Sequence, residues 1–502
     1  MRRFGLDQEV SGILLGVSDR KFMLTDTMSR SLEALEPDEP EHLKFYSCGP
    51  TVYNLAHIGN FRTFITADLV VRTAEALGWK VSYVSNITDV GHLTQDDVAD
   101  ATGEDKMAAA LRAAGQQFPN IWDLARYYAD AFIDDWKRLN LREPMVRPRA
   151  TEHMREQIQA INQLVKAGHA YVTPSGVYFR LSSFPEHGKL SGNVDKEQLQ
   201  VGVRDVVVDD NKEHPGDFAL WKQDDKHLMQ WFSPWGWGFP GWHIECSAMA
   251  MKYLGDTLDL HAGGEDLVFP HHESEIAQSE SLTGKPFSRH WIHTRFLVVD
   301  GEKMSKSKGN FFTVRDLVDE RGHDPIALRF ALMATPYNKP LNFTMQSLSD
   351  AGKNVERFRE CRRVAEGAVD RTGGVEIAAE LDRLYGEALD AMCDDLNTSV
   401  ALAKALEGTG VIFREQSLLG GDSARAAVRY LDQINELLGI CPPETKTEQS
   451  FEAELQVDIE RRAELKLAKL FAEADAIRLK WLDQGVELRD TPDGTVWKLV
   501  KP

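Results

Sequence analysis

Three groups of residues have types and spacings that could do chemistry. The first is His57-Ile58-Gly59-Asn60, placed after a short predicted strand and opening a helical pattern. A helix N-terminus offers unpaired N–H groups and the positive end of the dipole, so it attracts phosphate. Gly59 lets backbone approach a ligand closely, and His57 can donate to a phosphate oxygen. An ordinary loop histidine fits those four residues too. The second group is Lys303-Met304-Ser305-Lys306-Ser307-Lys308-Gly309-Asn310, a short loop carrying three ammonium groups. Such a loop suits a polyphosphate, because it can neutralise charge developing on a pentavalent phosphorus and on departing pyrophosphate. A solvated basic turn is the alternative. The third group is scattered: Cys48 at the end of the first predicted strand, Cys246, and Pro270-His271-His272-Glu273-Ser274-Glu275 at a predicted helix start. His271 and Glu275 are four apart and share a helix face, whereas His272 has Ile276 at that spacing, so its face turns apolar. Cys, Cys, His and Glu suit zinc. Their spacing alone does not separate a metal site from buried structural cysteines.

These residues need elements to position them. Leu43–Cys48 reads as a strand, Ile58–Gly78 as a helix with apolar Phe61, Ile65, Leu69, Val70, Ala74 and Leu77, and Lys80–Asn86 as a second strand. That order is one βαβ unit of a nucleotide-binding sheet. Downstream, Leu258–His261 reads as a strand, Gly263-Gly264 as a turn, His271–Leu282 as a helix and Phe296–Val299 as a strand. Between the halves, residues 113–236 read as an insertion, with a helix over Glu152–Gly168 and a hairpin-like turn at Thr173-Pro174-Ser175-Gly176. After Pro325 the pattern is helical: Ile326–Ala334, Leu348–Gly367, Ile377–Met392, Ser399–Glu415, Ser423–Leu438 and Phe451–Gln484. Two alternating runs around Thr491-Pro492-Asp493-Gly494 then read as a β-hairpin. The expected architecture is α/β: a Rossmann-type parallel-sheet domain split by an insertion, followed by a helical bundle and a small C-terminal hairpin. The expected segments are 1–112 and 237–325 for the split domain, 113–236 for the insertion, 326–440 for the bundle and 441–502 for the C-terminal part.

The bulk numbers bound the class. The chain has 502 residues, 42% of them hydrophobic, enough for several soluble cores and too many for a disordered chain. No apolar run approaches the ~20 residues that a membrane span needs, and the first residues do not read as a secretory signal. Five widely scattered cysteines make a poor disulfide framework and fit a reducing cytosol. A formal net charge of −20 argues against broad phosphate contact. Charge is local, however: Lys353–Arg363 and Arg461–Lys480 are the densest basic segments of the helical half. Each also fits a plain solvated helix face.

The first two groups, in this order and on this pattern, resemble the signatures of class I aminoacyl-tRNA synthetases. Five blocks are similar, in order, to the cysteinyl-tRNA synthetase family: Phe45–Tyr53, Asn86–Asp89, Pro240–Met249, Phe269–Gln278 and the Lys303 loop. The similarity runs from about Phe22 to the C-terminal hairpin, and the block around Cys246 is its most specific part. It implies a cytoplasmic, monomeric cysteine–tRNA ligase whose partners are tRNA(Cys), L-cysteine and ATP. It implies one zinc ion on Cys48, Cys246, His271 and Glu275. It implies cysteine or adenylate contacts from Gly49, Thr51, Thr88, Trp242, His261 and Asp266. ATP, as its Mg2+ complex, would meet His57, Gly59, Asn60, Asp266, Lys303 and Lys306, with His57, Asn60, Lys303 and Lys306 assisting the chemistry. The C-terminal part would read the anticodon. By residue type, Arg489 and Trp497 on the hairpin suit stacking on unpaired bases, although Trp497 also fits plain packing on the bundle. Two departures from the family pattern stand out. Asn60 replaces the usual second histidine of its signature and cannot carry positive charge, and Lys308 stands where an apolar residue is usual. Lys308 could offset the loss.

Zinc also makes physical sense for this substrate. Shape alone separates small side chains by only ~1–3 kcal/mol. A thiolate is a good zinc ligand and a serine hydroxyl a poor one, so discrimination would rest on a bond that one substrate makes and the other does not. No editing domain would then be needed. The same resemblance leaves two rivals: an ATP-dependent cysteine ligase of mycothiol biosynthesis, and an inactive tRNA-binding paralogue. The helical half after residue 325 argues against the former, and the intact Lys303 loop with His57 against the latter.

Overall fold

The structure is a computed structural model that describes residues 20–90, 93–95, 102–192, 211–305, 308–443, 446–467, 470–483, 486–491 and 494–499. The chain divides into two compact units, one running to Cys441 and one from Pro442 onward, with Glu320–Gly322 grouped with the latter. In the first unit, β1 (Met23–Thr25) and β2 (Leu32–Ala34) form a small hairpin. β3 (His42–Ser47), β4 (Lys80–Ser85), β12 (Leu258–Gly264) and β13 (Ser288–Thr294) form a parallel sheet in the order β13-β12-β3-β4. Every residue from Leu258 to Gly263 is buried, as expected of a strand covered on both faces. The expected Gly263-Gly264 turn is instead strand, because both glycines pair with His293 and Thr294 of β13.

α1 (Ile58–Ala76) joins β3 to β4. It starts at His57, whose Nδ1 accepts from the Asn60 N–H at 3.2 Å while Asn60 Oδ1 accepts from the His57 N–H at 3.1 Å. This reciprocal cap satisfies two end groups of the helix. α1 is buried nearly all round, and its buried set includes Arg62, Asp68 and Arg72 besides the apolar residues.

β5 (Leu93–Gln95) pairs with β6 (Thr102–Asp105), which leads into α2 (Lys106–Ala113) and α3 (Ile121–Arg138). α4 (Met154–Ala167) follows, ended by Gly168 at φ 84°. A five-stranded antiparallel sheet then fills the insertion: β7 (Ala170–Thr173), β8 (Gly176–Phe179), β9 (Phe218–Gln223), β10 (Trp231–Ser233) and β11 (Gly236–Pro240), in the order β10-β11-β9-β8-β7. α5 (Trp242–Leu254) leads back to β12. α6 (Glu273–Thr283) starts two residues later than the sequence pattern predicts, because a wider turn spans Val268–His272. β14 (Leu297–Val299), β15 (Glu302–Lys303) and β16 (Leu341–Phe343) make a three-stranded sheet that carries the basic loop.

The helical half comprises α7 (Pro325–Met333), α8 (Met345–Glu366), α9 (Ala378–Cys393), α10 (Thr398–Arg414) and α11 (Gly421–Leu438). Its basic segment is largely neutralised within the fold: Lys353 meets Asp350 at 2.8 Å, Arg362 meets Asp432 at 2.8 Å, Arg363 meets Glu356 at 2.6 Å and Arg359 pairs with Asp324. The second unit holds α12 (Lys446–Leu467), α13 (Phe471–Asp483), β17 (Val486–Thr491) and β18 (Gly494–Leu499). The single helix expected over Phe451–Gln484 is therefore two helices. They pack on one another around Leu455, Ile459, Trp481, Val486 and Leu488. Lys480, part of the expected basic face, is tied to Glu454 and Asp458 of α12 at 2.9 and 2.7 Å. β17 and β18 pair as expected, with Arg489 opposite Val496 and Trp497 opposite Leu488. Among the described residues no helix is long and apolar enough to cross a membrane.

Candidate active site and metal centre

The carboxyl ends of β3 and β12 deliver the chemistry. Cys48 and Gly49 follow β3 directly, and their exit is held by backbone bonds from the Cys48 N–H to the Ala262 carbonyl at 3.2 Å and from the Gly49 N–H to Asn86 Oδ1 at 2.9 Å. Gly49 has to be glycine: a Cβ there would lie 1.6 Å from the Asn86 carbonyl oxygen. Cys246 comes from α5, and His271 and Glu275 from the turn and first residues of α6.

These four side chains are buried, and one ligand atom from each lies within 4.8 Å of all the others. Cys48 Sγ is 3.9 Å from Cys246 Sγ, although 198 residues separate them. Tetrahedral zinc with Zn–S of about 2.3 Å would hold two sulfurs ~3.8 Å apart. Cys48 Sγ lies 3.6 Å from Glu275 Oε1, and His271 Nε2 lies 2.9 Å from the same oxygen. The hydrogen bond from Cys48, and then His271, lowers the Cys246 thiol to about 6, while burial pushes the Cys48 thiol well up. Burial opposes ionisation of Glu275, yet His261 and His271 bring it down to about 2. Burial likewise opposes charge on His271, but Glu275 and Cys246 raise it to about 10. Two cysteine sulfurs, an imidazole and a carboxylate thus converge in a buried site. That donor set fits a divalent, thiol-seeking cation such as zinc.

Further histidines support these groups. His261 Nε2 donates to Glu275 Oε2 at 2.9 Å, and its ring stacks on Trp291 at 4.6 Å between ring centres. His243 Nδ1 meets His271 Nδ1 at 3.0 Å, which sets the orientation of the His271 ring. His272 does not face an apolar surface as the helical spacing predicts. Its Nε2 lies 3.4 Å from Cys48 Sγ and its Nδ1 2.8 Å from His293 Nε2. The reason is the turn at Val268–His272, which removes the simple α-helical phase there. Cys48, His261, His272 and Glu275 form a second converging set with the same 4.8 Å spread. His243 and His293 escaped the sequence reading because an isolated histidine in a strand or helix carries no spacing signal.

A cleft of about 390 Å³ opens beside this centre, lined by Cys48, Gly49, Thr51, His57, Asn60 and Asp266 among others, with Trp242 forming one wall. Trp242 stacks on His271 at 4.3 Å and so joins the cleft to the candidate metal ligands. Thr88 and His261 are buried and stand behind the lining: Thr88 pairs through its backbone with Pro50 and Val52, and His261 holds Glu275. Gly59 allows the two signatures to meet, since a Cβ there would lie 2.9 Å from Met304 Cε. The Ile58 N–H also donates to the Phe312 carbonyl at 2.9 Å, and His57 packs edge-on against Phe311. Lys303 is exposed at the end of β15, and Lys306 lies outside the described residues. Lys308 Nζ is 2.8 Å from Glu302, at the solvent-facing side of the loop. A larger cavity of about 850 Å³ along the far half of α1, lined by Arg72, Glu75, Arg142, Tyr385 and Arg429 among others, contains none of the motif residues.

Residues 34–353 match the family model described as "tRNA synthetases class I (C) catalytic domain". The cysteine–tRNA ligase of Salinibacter ruber is 52% identical over 506 residues, an alignment covering 95% of this chain and 98% of that one. The chain belongs to the cysteine–tRNA ligase family. The cysteine–tRNA ligase of Chlorobaculum tepidum, 40% identical with 95% and 98% covered, extends the same match. Among solved structures, Mycobacterium tuberculosis methionyl-tRNA synthetase in complex with methionyl-adenylate superposes with a TM-score of 0.54. That likeness covers 79% of this chain and 88% of the other at 16% identity, and it speaks for the shared class I fold. Family membership runs through both halves of the split sheet and the helical half, so the signatures and the cysteine-rich centre belong to one ligase framework.

Proposed function

We propose that this ligase activates L-cysteine with ATP and transfers it to tRNA(Cys), with a zinc ion on Cys48, Cys246, His271 and Glu275 selecting the thiolate. The observation that carries the reading is the meeting of those four side chains beside a cleft that Cys48 lines together with His57, Asn60 and Asp266. Zinc bound there would supply a coordination position that a thiolate fills far better than a hydroxyl. The chain's own residues do the remainder. Trp242, stacked on His271, closes the metal side of the cleft and excludes water. Asp266 offers a carboxylate to the ammonium or ribose groups of the adenylate. The N-terminus of α1, with His57 and Asn60, faces the phosphates.

In the first step a cysteine carboxylate oxygen bonds to the α-phosphorus as the bond to the bridging oxygen breaks. Pyrophosphate leaves with that electron pair, as its magnesium complex. Positioning and charge neutralisation carry most of such a step, and Lys303 and Lys306 are the loop cations for it. The acyl group then passes to the terminal adenosine of the tRNA, with the C-terminal unit reading the anticodon. The chain acts as a monomer in the cytoplasm. Cysteine-dependent ATP–pyrophosphate exchange, followed by tRNA charging with serine as competitor, tests the reading. Exchange with cysteine, none with serine, and about one zinc per chain is the expected result. Equal use of both amino acids, or full activity of metal-stripped protein, would overturn the zinc assignment.

A further inference from the structure

Among the described residues lining the cleft there is one lysine and no arginine, and the lysine, Lys106, lies outside both signatures. We propose that Lys106 contacts the phosphates of the nucleotide and supplies there the positive charge that Asn60 cannot carry. The proposal rests on the cleft being the ATP site.

Three observations carry it. The first is the state of Asn60. Its side-chain oxygen is committed to the His57 N–H and its backbone N–H to the His57 ring, so it serves as a neutral helix cap. The second is the state of Lys308, the cation that the sequence offered as a substitute. It pairs with Glu302 and is more than half exposed, and the cleft lining does not include it. The third is how Lys106 is held. It is the first residue of α2, between Asp105 and Met107, both buried. Asp105 caps the helix through the Ala108 N–H at 2.6 Å and meets His227 Nε2 at 3.3 Å. These anchors fix the backbone on either side of Lys106. Its ammonium then lies 5.5 Å from the centre of the Tyr53 ring, another lining residue, within the range of a cation–π contact.

The position is also electrostatically unusual. A cation in the first turn of a helix opposes the macrodipole, and here the Asp105 cap is the acid that offsets it, the first turn proper holding none. Anionic phosphate in the cleft would reverse the sign of that interaction. Local rules broken in this way mark functional positions. In the reaction, the ammonium would meet negative charge as it moves from the attacking carboxylate through the α-phosphoryl oxygens to pyrophosphate. It would donate hydrogen bonds without giving up its proton.

The test is single-turnover adenylate formation by the full chain. Lys106→Met should slow it about tenfold or more, equivalent to about 1.4 kcal/mol of barrier, with cysteine affinity unchanged. Lys106→Arg should recover most of the loss. A rate for Lys106→Met within about twofold of the unaltered chain overturns the proposal, as does an equally slow, fully folded Lys106→Arg. Where Lys106→Met does not fold, the unaltered protein decides. Acylation of Lys106 by an amine-reactive reagent, read by mass spectrometry, should slow when α,β-methylene-ATP and cysteine are added. Equal labelling with and without them overturns the proposal. Cysteine-dependent exchange by the unaltered chain tests the site itself, so the two failures are distinct.

Discussion

Near the start of α1, Cys48, Cys246, His271 and Glu275 bring one ligand atom each within 4.8 Å of the others. Farther along the same helix, Asp68 and Arg72 meet Arg329 from α7 in an equally buried cluster. There every charge is answered. Arg72 donates to Asp68 at 2.7 Å and to the carbonyls of Asn140, Asn435 and Glu436 at 2.6–2.9 Å. Arg329 donates to Asp68 and to the carbonyls of Leu438 and Leu139 at 2.8 and 3.1 Å. The Arg142 N–H completes Asp68 at 2.6 Å. Gly439 permits the closure: its φ is +69°, and a Cβ there would lie 2.6 Å from Arg329 Cζ. Burial of ionisable groups is therefore common to both regions. What differs is where the partners lie: the hub commits its hydrogen bonds to backbone carbonyls of the fold, while the candidate metal centre gathers side-chain ligand atoms around one another.

The comparison makes separable predictions. The largest effect belongs to Cys246→Ser, which should remove zinc and reduce cysteine-dependent exchange below detection while the thermal midpoint changes little. Metal analysis and exchange on the same preparation check this, and retained zinc would break the contrast. Next comes Arg329→Met, which leaves Asp68 buried without one of its two guanidinium partners. It should cost ~3–5 kcal/mol in denaturant unfolding, yet keep zinc content and exchange per folded molecule. A parallel loss of exchange would mean that the hub also shapes the site.

A smaller effect sharpens which four ligands are used. His272→Ala should weaken zinc by ~10–100-fold, as an outer partner does, whereas His271→Ala should release it. The reverse order in a chelator titration would place the metal on Cys48, His261, His272 and Glu275 instead. The smallest effect is in acid. Burial opposes ionisation of Asp68, but Arg329 and Arg72 outweigh it and hold its carboxyl below the usual range. Its contribution is full above the unfolded value of about 3.9 and is lost as pH falls through the folded value. Asp68→Asn should therefore be less stable at neutral pH and lose less on acidification below about pH 4. Identical acid profiles of the two proteins would remove Asp68 from the account.

Much of this molecule was legible in the chain. The 3.6-residue period of α1 and of α7–α11, the alternation of β17–β18 and the turn at Thr173–Gly176 are local signals, because short-range sterics and one-sided burial write them into neighbouring residues. The two signatures and the four candidate metal ligands were legible through family resemblance. The tertiary structure alone decided the rest, since it depends on residues far apart in sequence that no spacing rule connects. Pairing β3 with β12, which α5 precedes, brings Cys48 to Cys246, and β13 adds His293 beside His272. The Val268–His272 turn resets the helical phase and places His272 beside a thiol. Asp68 and Arg72 lie in the core because α7 and α11 cover that side of α1 with their own charge and carbonyls. Local period fixes which residues share a face; only packing determines what that face meets.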